Sequence, residues 1–183
     1  MLLGITGRNA AGKTTIVEIL VERGWTGCSC SDAIRSWLRD NGQEINRENL
    51  TQGGRTLRSE GGPGILAERL LNQIDPMIPT VIDSIRTPDE VKALRSRDSF
   101  RLIEVVASTD LRWKRMQIRG RSGDPTNYTS FLAQEDAEAV AENSAGQALD
   151  ATAALADILI VNDSGMDNLN NAIDEIIESL GLI

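Results

Sequence analysis

The stretch Gly7-Arg8-Asn9-Ala10-Ala11-Gly12-Lys13-Thr14 sets two glycines around a four-residue spacer and follows the second with lysine and threonine. Wrapping successive backbone N–H groups around phosphate oxygens needs a tightly curved loop with no side chain in the way, and Gly7 and Gly12 permit one. In that pattern Lys13 reaches the β- and γ-phosphates and the Thr14 hydroxyl is a magnesium ligand. Asn9, Ala10, Ala11 and Thr15 complete the stretch expected to cradle a triphosphate. The helix expected from Lys13 onward adds its N-terminal dipole. ATP and Mg2+ are the expected cofactors.

Carboxylates and arginines elsewhere suit the same chemistry. Asp83 ends the apolar run Thr80-Val81-Ile82-Asp83, and an acid at the tip of a strand beside the phosphate loop can hold a magnesium hydration shell. Its structural alternative is a cap on the following turn. Arg86, three residues on, is expected to grip a phosphate of a second substrate, or else to form a surface ion pair. With Ser31 as helix cap, Asp32 and Arg35 fall one turn apart on a face expected to look toward the phosphate loop. Arg35 would bind an acceptor phosphate and Asp32 would orient the accepting group, unless Asp32 merely favours the helix dipole. Arg55 and Arg58 are weaker candidates of the same kind, with a solvated helix face as their alternative.

Arg112, Lys114, Arg115, Arg119 and Arg121 cluster around Trp113. Transfer of a γ-phosphoryl group needs positive charge on its equatorial oxygens and exclusion of water, and arginines on a closing lid supply both. Arg115 and Arg119, four apart, share a helix face and are preferred over Arg112 as catalytic groups, with Arg121 assigned to substrate. Solvated charge on a surface helix is the plain alternative.

Composition narrows the classes. A chain of 183 residues with 25% charged and 40% hydrophobic residues reads as one folded domain rather than a disordered or membrane protein. Histidine is absent, which removes imidazole as base, proton shuttle or zinc ligand. Two cysteines, Cys28 and Cys30, cannot make a tetrahedral zinc site and read as small semi-buried residues in a reducing cytosol. The apolar run Met1 to Ile5 is too short for a signal core, so a cytoplasmic protein without membrane contact is expected. The net charge of −8 is unevenly spread, with 12 acidic and no basic residues from Ser122 onward. A sequence pI near 4.6 argues against duplex nucleic acid. Small-molecule nucleotides are the expected partners, and a monomer or homodimer is the expected state.

The elements that must hold these residues alternate. Strands are expected at Leu2 to Thr6, Thr26 to Cys30, Thr80 to Asp83, Leu102 to Ala107 and Ile158 to Val161. Helical periodicity runs over Thr15 to Arg23, Asp89 to Arg97, Leu111 to Gly120 and Asp167 to Leu180. Such alternation predicts an α/β fold with three layers, a five-stranded parallel sheet between helices. Residues 31–79 hold no good strand and read as an inserted helical lobe. Arg119 to Asp124, followed by the helical stretch Thr129 to Asn143, reads as a mobile lid.

Together these segments, with Ala156-Asp157-Ile158-Leu159-Ile160-Val161-Asn162, resemble the nucleoside and nucleotide monophosphate kinases. The resemblance is closest to the archaeal adenylate-kinase-related and dephospho-CoA-kinase-like group, which has similar Glu60-Gly61-Gly62-Pro63-Gly64 and Arg119 to Pro125 stretches. It implies a single P-loop kinase domain, with core segments 1–30, 80–118 and 144–183, an acceptor-binding lobe at 31–79 and a lid at 119–143. It also implies that Asn162, in the loop to Gly165, flanks the donor base. Ser84 stands where adenylate kinases have glycine, and Arg86 follows Ile85 without their Phe-Pro. The expected activity is magnesium- and ATP-dependent phosphoryl transfer to a small phosphorylated acceptor, a nucleoside or deoxynucleoside monophosphate. A dephospho-CoA-type kinase and a slow ATPase acting as a regulatory module are the alternatives.

Overall fold

In a computed structural model that describes residues 1–121, 123–140 and 148–181, the chain opens with β1 (Leu2–Thr6), every residue of which is buried. The phosphate-loop segment then leads into α1 (Lys13–Glu22). β2 (Thr26–Ser29), β3 (Thr80–Asp83), β4 (Phe100–Val106) and β5 (Ile158–Val161) complete one sheet in the order β2-β3-β1-β4-β5, every pairing parallel. The five expected strands are therefore present, three with the expected limits.

Alternating side chains of the strands point to opposite faces, so each face needs its own helical cover. Leu3, Ile5, Val81, Ile103, Val105 and Ile160 pack against α1 and the C-terminal α9 (Met166–Ser179). Leu2, Ile82, Phe100 and Leu102 pack on the other side against three helices. These are α2 (Cys30–Asp40), α4 (Ile65–Leu71) and α5 (Pro88–Leu94). α3 (Arg47–Gly61) lies over α2, where Gly53 and Gly54 let its backbone approach Ile34 and Trp37.

Two expectations change at the start of α2. Cys30 is its first helical residue rather than the end of a strand, and the cap is Ser29, not Ser31. The Ser31 N–H donates to Ser29 Oγ at 3.2 Å, and Asp32 Oδ2 accepts the Ser29 N–H at 2.8 Å, a reciprocal box that stops the strand one residue early. Cys28 and Cys30 are free, and burial raises both thiols, Cys28 to about 12.

After β4 come α6 (Thr109–Arg119), α7 (Tyr128–Ala139) and the short α8 (Leu149–Ala153). Residues 141–143 of the expected stretch Thr129 to Asn143, like Ser122 of the expected lid and 144–147, 182 and 183 of the expected core, lie outside the described residues. α7 is held on α6 by the rings of Trp113, Tyr128 and Phe131, with centroids 5.4–5.9 Å apart, and by the buried Arg112–Glu135 ion pair. Among the described residues no helix is long and apolar enough to cross a membrane.

A candidate phosphate-binding active site

β1 lies between β3 and β4, where the direction of the crossovers reverses, and the C-terminal strand ends there form the crevice in which parallel sheets bind ligands. A cavity of about 490 Å³ opens at this point. Its floor is Asn9, Ala10 and Gly12 to Thr15 from the phosphate loop and α1. Asp83, Ser84 and Arg86 line the cavity after β3, Asn162, Gly165 and Met166 line it after β5, and Arg115, Arg119 and Arg121, from α6 and the residues after it, complete the lining.

The loop has the curvature that phosphate binding requires. Gly7, Ala10 and Gly12 have φ of +133°, +59° and +107°. A Cβ on Gly7 would stand 2.2 Å from the Val105 carbonyl oxygen, and one on Gly12 2.2 Å from Asn162 Nδ2. Both positions therefore exclude a side chain by space as well as by conformation. The Arg8 side chain turns outward to Asp150 at 2.8 Å. Asn9 Oδ1 accepts the Ala10 N–H at 3.1 Å and an Arg119 N–H at 3.0 Å, tying the loop to α6. The Ala11 carbonyl accepts from Asn162 Nδ2 at 2.9 Å and from Arg115 at 3.4 Å.

Lys13 Nζ donates to the carbonyls of Gly7 and Arg8 at 2.8 and 2.9 Å. Burial pushes its ammonium down to about 8, partly opposed by Asp83 and Glu138 and reinforced by Arg86 and Arg119. A buried cation whose hydrogen-bond partners are neutral carbonyls is electrostatically under-compensated and suits a polyanion. Asp83 lies on the same cavity as Thr14, and its Oδ1 accepts the Ser84 N–H at 2.6 Å. Ser84 has φ +64°, in the left-handed region that favours glycine. The buried Thr6 hydroxyl donates to the Ile85 carbonyl at 2.9 Å and fixes this segment beside the loop.

Five cations, Lys13, Arg86, Arg115, Arg119 and Arg121, face two carboxylates, Asp83 and Glu18. Two of the five are also paired with carboxylates beside the cavity, Arg119 with Asp124 and Arg86 with Glu138, which leaves a small positive excess within a protein of net charge −8. Among the described residues no three Asp, Glu or Cys side chains converge to hold a metal ion. Thr14 and Asp83 are an oxygen pair of the kind that holds magnesium when phosphate oxygens and water supply the remaining ligands.

Not every residue singled out in the sequence reaches this cavity. Arg58 is buried in an ion pair with Glu90 at 2.8 Å, with side chains 6% and 0% exposed, so its guanidinium stabilises the fold and neither faces solvent nor binds a phosphate. The Glu90 carboxylate also accepts the N–H groups of Arg86 and Thr87 at 2.8 and 3.2 Å, which explains its burial. Asp32 and Arg35 share a helix face as expected, but they bond each other at 2.8 Å and do not line the cavity. Arg112 is committed to Glu135 and to the Ala107 carbonyl. Arg86 lines the cavity and lies 3.7 Å from Glu138 of α7. Arg115 donates to the Asn162 carbonyl at 2.9 Å and so belongs to the wall beside the loop after β5.

The sequence reading missed Glu18 and Asp124. Glu18 is four residues beyond Thr14 on α1, and that spacing places both on one helix face. Asp124 is the bidentate partner of Arg119 at 2.9 and 3.0 Å. No spacing rule flags a pair across an irregular turn.

Solved structures share this fold. Shikimate kinase from Acinetobacter baumannii, in complex with shikimate, matches 100% of the chain at TM-score 0.64 and 16% identity, over 95% of its own length. A sugar kinase from Janibacter sp. matches 99% of the chain at TM-score 0.54 and 17% identity, over 94% of its own length. The sheet and its helices are thus the α/β fold of P-loop kinases. No family model matches the sequence. A UPF0200 protein of Pyrobaculum aerophilum is 35% identical over 137 residues, which are 73% of this chain and 75% of that protein. One from Pyrococcus furiosus is 30% identical over 98% of this chain and 97% of its own length. On sequence identity that extends along nearly the whole chain, this protein belongs to the UPF0200 family.

Proposed function

We propose that the protein transfers the γ-phosphoryl group of magnesium ATP to a small phosphorylated acceptor, a nucleoside or deoxynucleoside monophosphate. The observation that carries this reading is the convergence of Lys13, Thr14 and Asp83 with four arginines on one cavity. A nucleotide-dependent switch needs the first three. Four further cations around the same space suit a reaction in which two phosphorylated ligands meet.

In this reading the curved backbone from Asn9 to Thr14 and the Lys13 ammonium hold the β- and γ-phosphates, and Thr14 and Asp83 hold magnesium. Bound magnesium neutralises charge on the phosphate oxygens. Arg119 and Arg121 contribute positive charge over the equatorial oxygens and Arg86 orients the acceptor phosphate. Arg115 keeps the loop around Asn162 against the phosphate loop, where the donor base would lie. An acceptor phosphate already ionised at neutral pH needs no strong base, and the chain has no histidine to supply one.

A hydroxyl acceptor is the second reading, favoured by fold neighbours named for shikimate and for a sugar. Asp32, the carboxylate expected to serve such an acceptor, has both oxygens engaged, by the Ser29 N–H and by Arg35.

The test is ADP release from ATP and magnesium with product identification by mass, across ribo- and deoxynucleoside monophosphates, dephospho-CoA and small alcohols, with Lys13→Ala as control. Turnover raised by a monophosphate and abolished in the variant supports the proposal. Acceleration by an alcohol alone moves the assignment to the second reading. Slow, Lys13-dependent hydrolysis with every acceptor replaces both with a nucleotide-dependent module.

A further inference from the structure

Asp124, in the turn between α6 and α7, is where three segments of the chain meet. Its two oxygens accept from Arg119 Nη2 at 2.9 Å and Nε at 3.0 Å, and Oδ2 also accepts the Arg121 N–H at 3.1 Å. Arg119 Nη2 in turn reaches Asn9 Oδ1 of the phosphate loop at 3.0 Å. From the other side Arg47, at the start of α3, donates to the Gly123 carbonyl at 2.7 Å and stands 3.6 Å from the Asp124 carboxylate. Gly123 has φ +83°, and a Cβ there would lie 2.8 Å from Arg47 Cδ, so the turn is shaped to receive that arginine. The Asp124 side chain is 8% exposed, against 25% for Arg119 and 45% for Arg47. Burial alone would raise its carboxyl, but the hydrogen bonds and charge of Arg119, the Arg121 N–H and the charge of Arg47 outweigh burial and hold it below the usual range.

We propose that Asp124 is a positioning residue that holds Arg119 over the phosphate loop and, through Arg47, ties the start of α3 to the same turn, so that Arg47 supports the hold on nucleotide without touching it. The inference rests on the nucleotide-binding reading above. A free arginine loses rotamer freedom when it grips a phosphate, whereas one already held in a two-point fork has lost that freedom in advance. The fork engages Nε and Nη2, which leaves Nη1 for a phosphate oxygen. Because Arg47 and Arg119 meet on one carboxylate, loss of Arg47 weakens the hold on Arg119. The opposite arrangement, in which Asp124 merely neutralises Arg119 and keeps it from phosphate, predicts the opposite sign for its removal.

The experiment is equilibrium and stopped-flow binding of a fluorescent ATP analogue with magnesium to the full chain. It compares wild type with Lys13→Ala, Arg119→Ala, Asp124→Asn, Asp124→Glu, Arg47→Ala and the Arg119→Ala/Asp124→Asn double variant, with thermal melting of each. Asp124→Asn and Arg119→Ala are each expected to weaken binding about 10-fold, the scale of one charge-assisted hydrogen bond, with the double variant no weaker than the worse single. Asp124→Glu should recover part of the loss, and Arg47→Ala should speed dissociation several-fold at an unchanged association rate. Binding by Asp124→Asn as tight as wild type or tighter, or additive losses in the double variant, overturns the inference while the Lys13-dependent binding of wild type keeps the nucleotide reading. A folded wild type that binds no nucleotide overturns both. If Asp124→Asn does not fold, Arg47→Ala decides, and an unchanged dissociation rate overturns the inference.

Discussion

The side-chain amide of Asn162 donates to the carbonyl oxygen of Ala11 at 2.9 Å, across a sequence separation of 151 residues. The loop after β5 thereby braces the phosphate loop from behind, and the same amide nitrogen occupies the space a Cβ on Gly12 would need.

Gly12→Ala should therefore abolish high-affinity nucleotide binding. Gly24 makes the control, since its φ of +89° carries the same conformational cost but no atom lies within 4 Å of its Cβ position. Gly24→Ala should lose about 1–2 kcal/mol of stability and bind nucleotide normally. Titration calorimetry with an ATP analogue, alongside melting curves, separates the two.

Lys13 sets a pH dependence. Its ammonium is pushed from 10.5 down to about 8, so the folded, empty protein binds this proton less tightly than the unfolded chain. The empty protein should accordingly gain stability from this group as pH rises from about 8 toward 10.5. Phosphates restore the charged form, so nucleotide binding above pH 8 takes up a proton, and affinity falls as pH rises, approaching about tenfold per pH unit. Calorimetry of wild type in buffers of different ionisation enthalpy should register uptake approaching one proton at pH 9 and little at pH 7, where the ammonium is already charged in the empty protein.

Arg58→Met breaks a buried pair and leaves the Glu90 carboxylate without its guanidinium. The expected cost is about 3–5 kcal/mol, read as a fall in Tm of about 10 °C. At a temperature where the variant is folded, its nucleotide affinity should match wild type. A loss of binding without a loss of stability would return Arg58 to the site.

Asp32→Asn tests the acceptor class. The Asp32 carboxylate completes the Ser29 capping box, so its removal should cost about 1 kcal/mol of stability. A phosphate acceptor predicts less than a threefold change in transfer rate. A hydroxyl acceptor using Asp32 as base predicts a loss of about 10²–10⁴-fold, measured as initial rates at saturating substrates.

β1, β3 and β5 were legible because each is a short, mainly apolar run bounded by polar or turn residues, and they have the limits that pattern implies. The phosphate loop was legible because one contiguous segment carries its whole geometry. The limit of β2 was misread because two serines compete for the cap. The spacing Ser29-x-x-Asp32 identifies the one that wins, and Ser31 has no acid three residues on. Arg58 and Asp124 were out of reach for a different reason. The role of Arg58 is fixed by Glu90, 32 residues away on another helix, which a helical wheel cannot display, and that of Asp124 by Arg119 across an irregular turn that no periodicity marks.

The brace between Asn162 and Ala11 also sets an order of assembly during synthesis. β1 and its glycine-rich loop are translated before the strands that flank them. The sheet neighbours of β1 begin only at Thr80 and Phe100, and the amide that closes the loop from behind arrives after β5. A nascent chain halted before residue 158 carries the entire nucleotide signature yet lacks one wall of its pocket. Ribosome-bound fragments of increasing length should acquire nucleotide-dependent protease resistance only once Asn162 has left the exit tunnel.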